Sequence, residues 1–455
     1  MTTRYLNQLN RTYENQTKLM EQSDGAKLHR PSDDPIGYSK YLRYSTSYGE
    51  NNQYQTNVNA AISWMKNSDS SLVDITNCFK TVVTKANQAQ GTNTASDMRA
   101  IAQEMLVQVQ QSVADANIQI NGRYLFSGQR DLVQPYVLSN EKFDRGMTKT
   151  LDDKQAAFFD NAVKSGDLSQ MLRLNGTYTN AEGKEITETY YLSTTDGMVY
   201  SEEFVEEGYK DKIAEDPEKH STVQPGDEKA TVSIGKVSNH FDEYGVIKES
   251  DGCGKNWAQE VTTPPDGKRV KLTFATVEQH IVIYQGDKKQ FSMVKENGEV
   301  QPATDTVNAS GMEIAGSSIF DNKESGNGRE PAGSIDPDDY VGPSGANAFN
   351  DMFTVVAMCE AGASGWMSSD GKTLANNSFD TVLNAESKLA ARQQVYSDCS
   401  DMLVTQNETI LGDITDVHST DVAKLAVEMM TAQTIYQLSL SVGSRILPPT
   451  LADYL

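Results

Sequence analysis

Val58, Ala61, Met65, Ser68, Leu72, Ile75, Phe79, Val82, Ala86 and Ala89 recur at alternating steps of three and four. That rhythm is the signature of a helix buried along one seam, and here it runs for more than four heptads. After the Gly91-Thr92-Asn93 turn a second run keeps the same spacing through Ala102, Leu106, Val109, Val113, Ala116 and Ile120. Thr94 and Asp97 stand just ahead of it at the spacing of a capping box, which predicts a helix start there. Toward the other end Val382, Leu389, Tyr396, Leu403, Ile410 and Val417 return every seventh residue, while the second seam position is mixed and includes Arg392 and Gln406. This predicts a long helix that is only partly buried.

The extreme ends are weaker amphipaths. Leu6, Leu9, Tyr13, Gln16 and Met20 make one stripe, and Val422, Leu425, Met429, Ala432 and Tyr436 make another. Isolated stripes of this quality are marginal in water, so these ends need partners, either each other or other subunits. Between the arms the pattern changes. Segments such as EITETYYLSTT, VKLTFATV, HIVIYQG and QFSMVKENGEV are rich in Thr, Tyr, Val and Ile, and turn signals such as Glu296-Asn297-Gly298 bound them. One or two small β-rich domains are expected there, followed by a loop-rich stretch near Asp336 to Asn350.

Proline punctuates the same division. It is absent from Ile36 to Gln134 and from Ser344 to Leu447, and eight of the 13 prolines lie between Pro217 and Pro343. The exception is RPSDDPIGYSK, where Pro31 and Pro35 flank Ser32, Asp33 and Asp34. Proline lacks a backbone donor and pushes its predecessor toward extended angles, so Pro31 is expected to end one helix. Pro35 suits the first position of the next, with Asp34 as its N-cap. On these residues alone an interhelical connector and an ordinary surface loop both remain open.

Charge refines the picture. Of the 455 residues, 1–130 carry 13 Lys+Arg and 11 Asp+Glu, 131–374 carry 23 and 42, and 375–455 carry 4 and 10. The formal net charge of −23 therefore sits mainly in the middle. It argues against binding a phosphate backbone, which needs a basic face, and suits a solvated outer surface. Nucleic acid and membrane are not expected partners. The four cysteines, Cys78, Cys253, Cys359 and Cys399, have no paired spacing and read as free thiols. No apolar run reaches the length of a membrane span, and Met1 to Met20 lacks the apolar core of a cleaved signal peptide. Taken alone, this would read as cytoplasmic.

Catalytic patterns are missing. None of the five histidines lies in an HExxH helix, GPSGA and GASGW each lack the final glycine of a nucleophile elbow, and there is neither a P-loop nor a GxGxxG turn. DNKESGNGRE puts Lys323 where a calcium loop needs a carboxylate, and Ala332 where it needs its closing glutamate. Asp336-Pro337-Asp338-Asp339 reads as a solvated acidic loop, with a site for a hard cation as the alternative. No enzyme activity, cofactor or metal is expected.

GAKLHRPSDDPIGYSK, NVNAAISWMKNSDSSL and INGRYLFSGQRD in the first arm, with STDVAKLAVEMMTAQTIYQLSLSVGSRILPPTLADYL in the last, resemble the bacterial flagellin superfamily. Within it the chain resembles most closely the hook-associated proteins of the hook–filament junction. Pro31 to Pro35 stand where flagellins have an alanine-rich segment, and Tyr124 to Gly128 where they have LLDG. The ending from Ile446 to Leu455 is also similar to the junction type.

The resemblance implies an α+β fold in which both termini build a long α-helical coiled-coil bundle around a β-rich central insertion. It implies inner-tube helices at 1–33 and 418–455, bundle segments at 34–135 and 375–417, and a variable outer region at 136–374. Leu6, Leu9, Tyr13, Met20, Val422, Leu425, Met429 and Tyr436 would form the assembly interface. Pro31, Ser32, Asp33, Asp34 and Pro35 would connect two concentric layers. The implied function is an extracellular adaptor at the distal end of the hook, joining hook to filament and templating the first filament layer. Its implied partners are identical subunits in a ring, a hook-associated neighbour on the hook side, flagellin or another hook-associated protein on the filament side, and an export chaperone before secretion through the type III channel. A filament flagellin is the alternative, and an adhesin or enzyme carried on the central region is a further one. Replacing 140–360 by a short linker is expected to leave the helical arms folded.

Overall fold

The structure, a computed structural model, describes residues 2–446 apart from 92, 153, 156–169, 194–197, 207–229, 235–239, 250–253, 264–266, 289–291, 295–299, 303–305 and 317–343. Cys253, DNKESGNGRE, the Asp336–Asp339 cluster and the ending from Leu447 onward lie outside the described residues. The fold is α+β, with long helices from both ends of the chain and a β-rich insertion between them. The chain divides into two compact units, one made of Met1–Ala61 with Val395–Leu455 and the other of Ile62–Gln394.

In the larger unit the heptad seam is the core. Helix α2 (Pro35–Gln88) buries Met65, Ser68, Leu72, Ile75, Phe79, Val82 and Ala86, and Ala89 just past its end is buried too, while Val58 and Ala61, the first two positions of the same spacing, are half-buried. Helix α3 (Ala95–Asp115) starts at the expected capping box: Thr94 Oγ1 accepts from the Asp97 N–H at 3.2 Å, and the Asp97 carboxylate accepts from the Thr94 N–H at 3.1 Å. These bonds with Thr94 hold the Asp97 carboxyl below the usual carboxylate range.

Helix α4 (Asn347–Glu360) trims the loop-rich stretch expected near Asp336 to Asn350, since regular helix begins at Asn347; residues 336–343 lie outside the described residues. It is buried on nearly every side, polar residues included: Asn350, Asp351 and Thr354 are 1%, 3% and 1% exposed. The Phe349 ring meets Phe79 edge-on at 5.5 Å and Tyr136 at 4.9 Å. The apolar run FTVVAM cannot be told from a buried strand by periodicity, which hid this helix.

Helix α5 (Lys372–His418) buries Val382 and Leu389 fully, then Tyr396 and Ile410 only in part. Arg392, the odd residue in its seam, is buried because its guanidinium donates to the Thr306 carbonyl at 2.8 Å and pairs with Glu313.

The insertion begins and ends on one antiparallel pair. Strand β1 (Tyr136–Gly146) lies beside β9 (Thr276–Tyr284), with Gly146 opposite Thr276. Between those two points the chain forms a seven-stranded antiparallel sheet among the described residues. It comprises β2 (Thr148–Thr150), β3 (Gln170–Thr179), β4 (Glu185–Leu192), β5 (Met198–Ser201), β6 (Ala230–Ser233), β7 (Ala258–Thr263) and β8 (Lys268–Phe274). The order is β6-β5-β4-β3-β8-β7, with β2 also on β3. Leu172, Leu174, Tyr190, Leu192, Phe241, Val270 and Leu272 share its core. The Tyr190 ring lies across Gly176, where an added Cβ would sit 2.4 Å from it. EITETYYL, VKLTF and HIVIY thus fall in strands as expected, and the described parts of QFSMVKENGEV pair as Ser292–Val294 with Val300–Pro302.

Two buried cations tie sheet to helix. Arg145 at the end of β1 is 1% exposed. It meets Asp351 at 2.8 Å, Thr354 Oγ1 and Asn347 Oδ1 at 2.9 Å each, and the Tyr244 carbonyl at 2.9 Å. Lys149 on β2 reaches Asp370 at 3.1 Å and also pairs with Glu206. Asp370 sits on a π-helical turn, Met367–Gly371, leading into α5.

Candidate assembly interface

Helix α1 (Thr2–Glu21) and helix α6 (Val422–Ile446) pack against each other in the smaller unit. Tyr5 donates its hydroxyl to the Ser439 carbonyl at 2.7 Å, and Tyr13 lies 6.1 Å from Tyr436 between ring centroids, so the pair runs antiparallel. The inward positions on α1 are Tyr5, Leu9, Thr12, Gln16 and Leu19; on α6 they are Leu425, Met429, Ala432, Tyr436, Ser439 and Gly443. Gly443 is required by the close approach, because a Cβ there would fall 1.8 Å from the Tyr5 hydroxyl.

The structure splits the two stripes read from sequence. Leu9, Leu425, Met429 and Tyr436 face the partner helix, whereas Leu6, Tyr13, Met20 and Val422 are 47%, 58%, 57% and 69% exposed. The reason is a one-residue offset: the seam on α1 starts at Tyr5, which leaves the 6/13/20 row on its flank. Helix α6 shows further apolar side chains outward, among them Val427, Met430, Ile435 and Leu438. A helix apolar on more than one face needs more than one neighbour.

Helix α1 does not run to Pro31, a second correction. It passes into the 3-10 turn Gln22–Asp24 and stops at Gly25, whose φ of 92° lies in the left-handed region that favours glycine. Pro31 instead takes the second place of a tight turn, closed by the Asp33 N–H donating to the Arg30 carbonyl at 3.0 Å. The Asp33 carboxylate accepts from the Arg30 and His29 N–H groups at 3.1 and 3.3 Å and meets Lys18 at 3.3 Å. Asp34 is the N-cap of α2: its Oδ1 accepts from the N–H groups of Ile36 and Gly37 at 3.1 Å each, with Pro35 as the first helical residue. Pro31, Ser32, Asp34 and Pro35 are exposed and Asp33 is half-buried.

A second connector, unnoticed in the sequence, braces the first. Asp421 caps α6 by accepting from Ala423 and Lys424 at 3.0 and 3.1 Å, a signal the Ser-Thr-Asp-Val spacing carries. Main-chain bonds join the two turns: Lys27 N–H to the His418 carbonyl at 2.6 Å and Thr420 N–H to the Gly25 carbonyl at 3.0 Å. Tyr41 stacks on His418 at 4.1 Å. Farther along, Asn51 donates to the Leu403 carbonyl at 3.1 Å and to Asn407 at 2.9 Å. A buried asparagine of this kind fixes the register of two helices.

Two predictions follow from the capped turn. Asp34→Ala is expected to fray the first turn of α2 at a cost of about 1 kcal/mol. The readout is amide exchange at Ile36 and Gly37, which should accelerate severalfold; unchanged exchange would show that the cap does not hold the turn. The second concerns pH. A hydrogen bond with His29 holds the Asp24 carboxyl low; for Asp33 desolvation pulls upward, but Lys18 and the Arg30 N–H outweigh it. Depressed carboxyls contribute stability above their ordinary range and lose it as pH falls through their folded values. NMR shifts of residues 24–34 should therefore hold at neutral pH and change below about pH 4; a connector unaltered to pH 2 would contradict this.

Among the described residues no helix is long and apolar enough to cross a membrane, and no group of three or more His, Cys, Asp or Glu is placed to hold a metal ion. Cys78 and Cys359 are buried and Cys399 half-buried, all free.

Among solved structures, the chain is similar to the flagellar junction protein FlgL of Legionella pneumophila, at 12% identity and a TM-score of 0.34, covering 78% of this chain and 98% of that one. It is similar to flagellar hook-associated protein-3 of the same organism, at 10% identity and 0.37, covering 83% and 99%. FlgL of Xanthomonas campestris gives 14% and 0.34, covering 82% and 97%. Likenesses this loose transfer neither fold nor function. No curated protein matches the chain. The family model described as bacterial flagellin N-terminal helical region matches residues 1–131, the stretch that holds α1, the proline connector, α2 and α3. Its first 131 residues are thus similar to a bacterial flagellin N-terminal helical region.

Proposed function

We propose that this chain is a structural subunit of the bacterial flagellum that joins hook to filament. The observation that carries the reading is the flagellin-type N-terminal region, whose first helix packs on the last helix of the chain and leaves apolar rows uncovered. Leu6, Met20 and Val422, outside the intrachain seam, and the exposed side of Tyr13, whose ring also meets Tyr436, are the contacts offered to neighbouring subunits. Leu9, Leu425, Met429 and Tyr436 hold the two helices together so that those contacts are presented side by side. Pro31 to Pro35 set a short, non-helical offset between α1 and α2, as two concentric layers require. The proline-flanked segment, in place of the alanine-rich one of filament flagellins, favours the junction. Identical subunits would form a ring, with a hook-associated protein below and flagellin or another hook-associated protein above. Before that, the chain would leave the cell through the flagellar export channel with a chaperone holding its apolar ends. Domain limits at 1–33, 34–135, 136–374, 375–417 and 418–455 remain part of this proposal.

The test is the position of tagged protein on isolated flagella. A narrow band at the distal end of the hook is expected. Label along the filament would make the chain a flagellin, and label absent from flagella would overturn the structural reading.

A further inference from the structure

The charges on α1 repeat as regularly as its seam. Arg4, Arg11 and Lys18 stand seven residues apart, one position before Tyr5, Thr12 and Leu19, and form a single exposed row. Among the described residues only Lys18 of the three has an ion-pair partner, Asp33. The row's last member, Lys18, lines a groove alongside the α1–α6 pair together with Lys27, Lys424, Asp421 and Glu428. Three cations cannot hold a polyanion against a chain of net charge −23. They fit a small acidic surface with matching pitch.

The same unit carries such a surface. From Gln393 to Ala423 the chain has no lysine or arginine. On α5, Asp401 and Glu408 are exposed, are seven residues apart, and have no ion-pair partner among the described residues. Seven residues of helix span about 10.5 Å, so Arg4 and Arg11 on one helix and Asp401 and Glu408 on another have the same pitch. Two helices crossing at about 20° keep such rows in reach over two contacts.

We propose that the Arg4–Arg11–Lys18 row on α1 of one copy docks against Asp401 and Glu408 on α5 of a second copy. The inference rests on the reading of the chain as a self-assembling subunit and names the surfaces that meet. The two faces differ, so the contact is head-to-tail and can close a ring, unlike a self-complementary dimer contact. Its charges steer encounter and fix register, and the exposed apolar rows supply the buried area.

Sedimentation of the full chain tests it. Self-association of the natural sequence should weaken at least tenfold between 0.05 and 0.5 M salt. R4E/R11E alone and D401K/E408K alone should each lose association by tenfold or more. Their equimolar mixture should recover it, because each offers the charge that the other's altered row now needs; this recovery also shows that both variants are folded. The proposal is overturned if association is absent, is indifferent to the reversals, or is not restored on mixing. Association that ignores these charges would sink the docking surface alone, whereas label away from flagella would sink the functional reading alone.

Discussion

Excising residues 147–275 and joining Gly146 to Thr276 through Asn-Gly is expected to leave the helices of the Ile62–Gln394 unit folded. Those two residues are already cross-strand partners, and Met147 N–H bonds the Ala275 carbonyl at 2.9 Å, so a two-residue turn can close β1 onto β9 without moving either. The core of the excised sheet, Leu172 to Leu272, is its own, and Asp370, which loses Lys149 in the cut, is neutralised in the same variant by Asp370→Asn so that no buried charge is left unpaired there. Cutting 140–360 has a different outcome. That deletion takes α4, and with it Phe349 against Phe79 and the Cys359 thiol against the Met98 carbonyl at 3.3 Å. A buried aromatic alone contributes about 3–5 kcal/mol when truncated, and domains have only 5–15 kcal/mol in hand. Circular dichroism and urea unfolding should show a cooperative helical transition in the narrow excision and none in the wide one. A wide excision that still unfolds cooperatively would restore the view, suggested by composition, that everything between 140 and 360 is dispensable.

The second large effect is expected at Arg145. Arg145→Met removes the charge partner of buried Asp351 and the donors to Asn347, Thr354 and the Tyr244 carbonyl. Breaking one side of a buried pair costs about 3–5 kcal/mol, mostly because the other charge stays behind desolvated. Replacing both, Arg145→Met with Asp351→Leu, should recover a large part of that loss. Urea midpoints of the single and double variants decide it. A single variant within 1 kcal/mol of the natural chain would show that the pair does not hold β1 to α4.

The helices and their buried faces were legible because a heptad is a long-range repeat: Met65, Leu72, Phe79, Val82 and Leu389 are all buried where spacing put them. The Thr94–Asp97 cap was legible for the opposite reason, being local chemistry over four residues. Three things were not. Helix α4 sets Asn347, Asn350, Asp351 and Thr354 at helical spacing, a period that the apolar run FTVVAM masks. The end of α1 is set by Gly25, a left-handed glycine six residues ahead of the Pro31–Pro35 pair. The exposed row at Leu6, Tyr13 and Met20 was visible, but which flank of α1 meets α6 depends on Tyr5 and on the gap left by Gly443, a contact between residues more than 430 apart. Arg145 and Lys149 carry no sequence signal, since a lone cation in a strand reads as solvated until the helix beneath it supplies a carboxylate.

The central claim is that α1 and α6, though paired in the single chain, complete their burial only between subunits. Ordering a residue costs about 1–2 kcal/mol, and one narrow seam containing Thr12, Gln16 and Ser439 gives little to offset it. Local opening is then frequent. Hydrogen exchange in dilute monomer and in the assembled state measures this directly. In the monomer, amides of α1 and α6 should exchange at least a hundredfold faster than those around Leu72 and Leu403, and in the assembly the difference should vanish. Terminal amides as protected in the monomer as those at Leu72 and Leu403 would show that the ends are already complete, and would contradict the account.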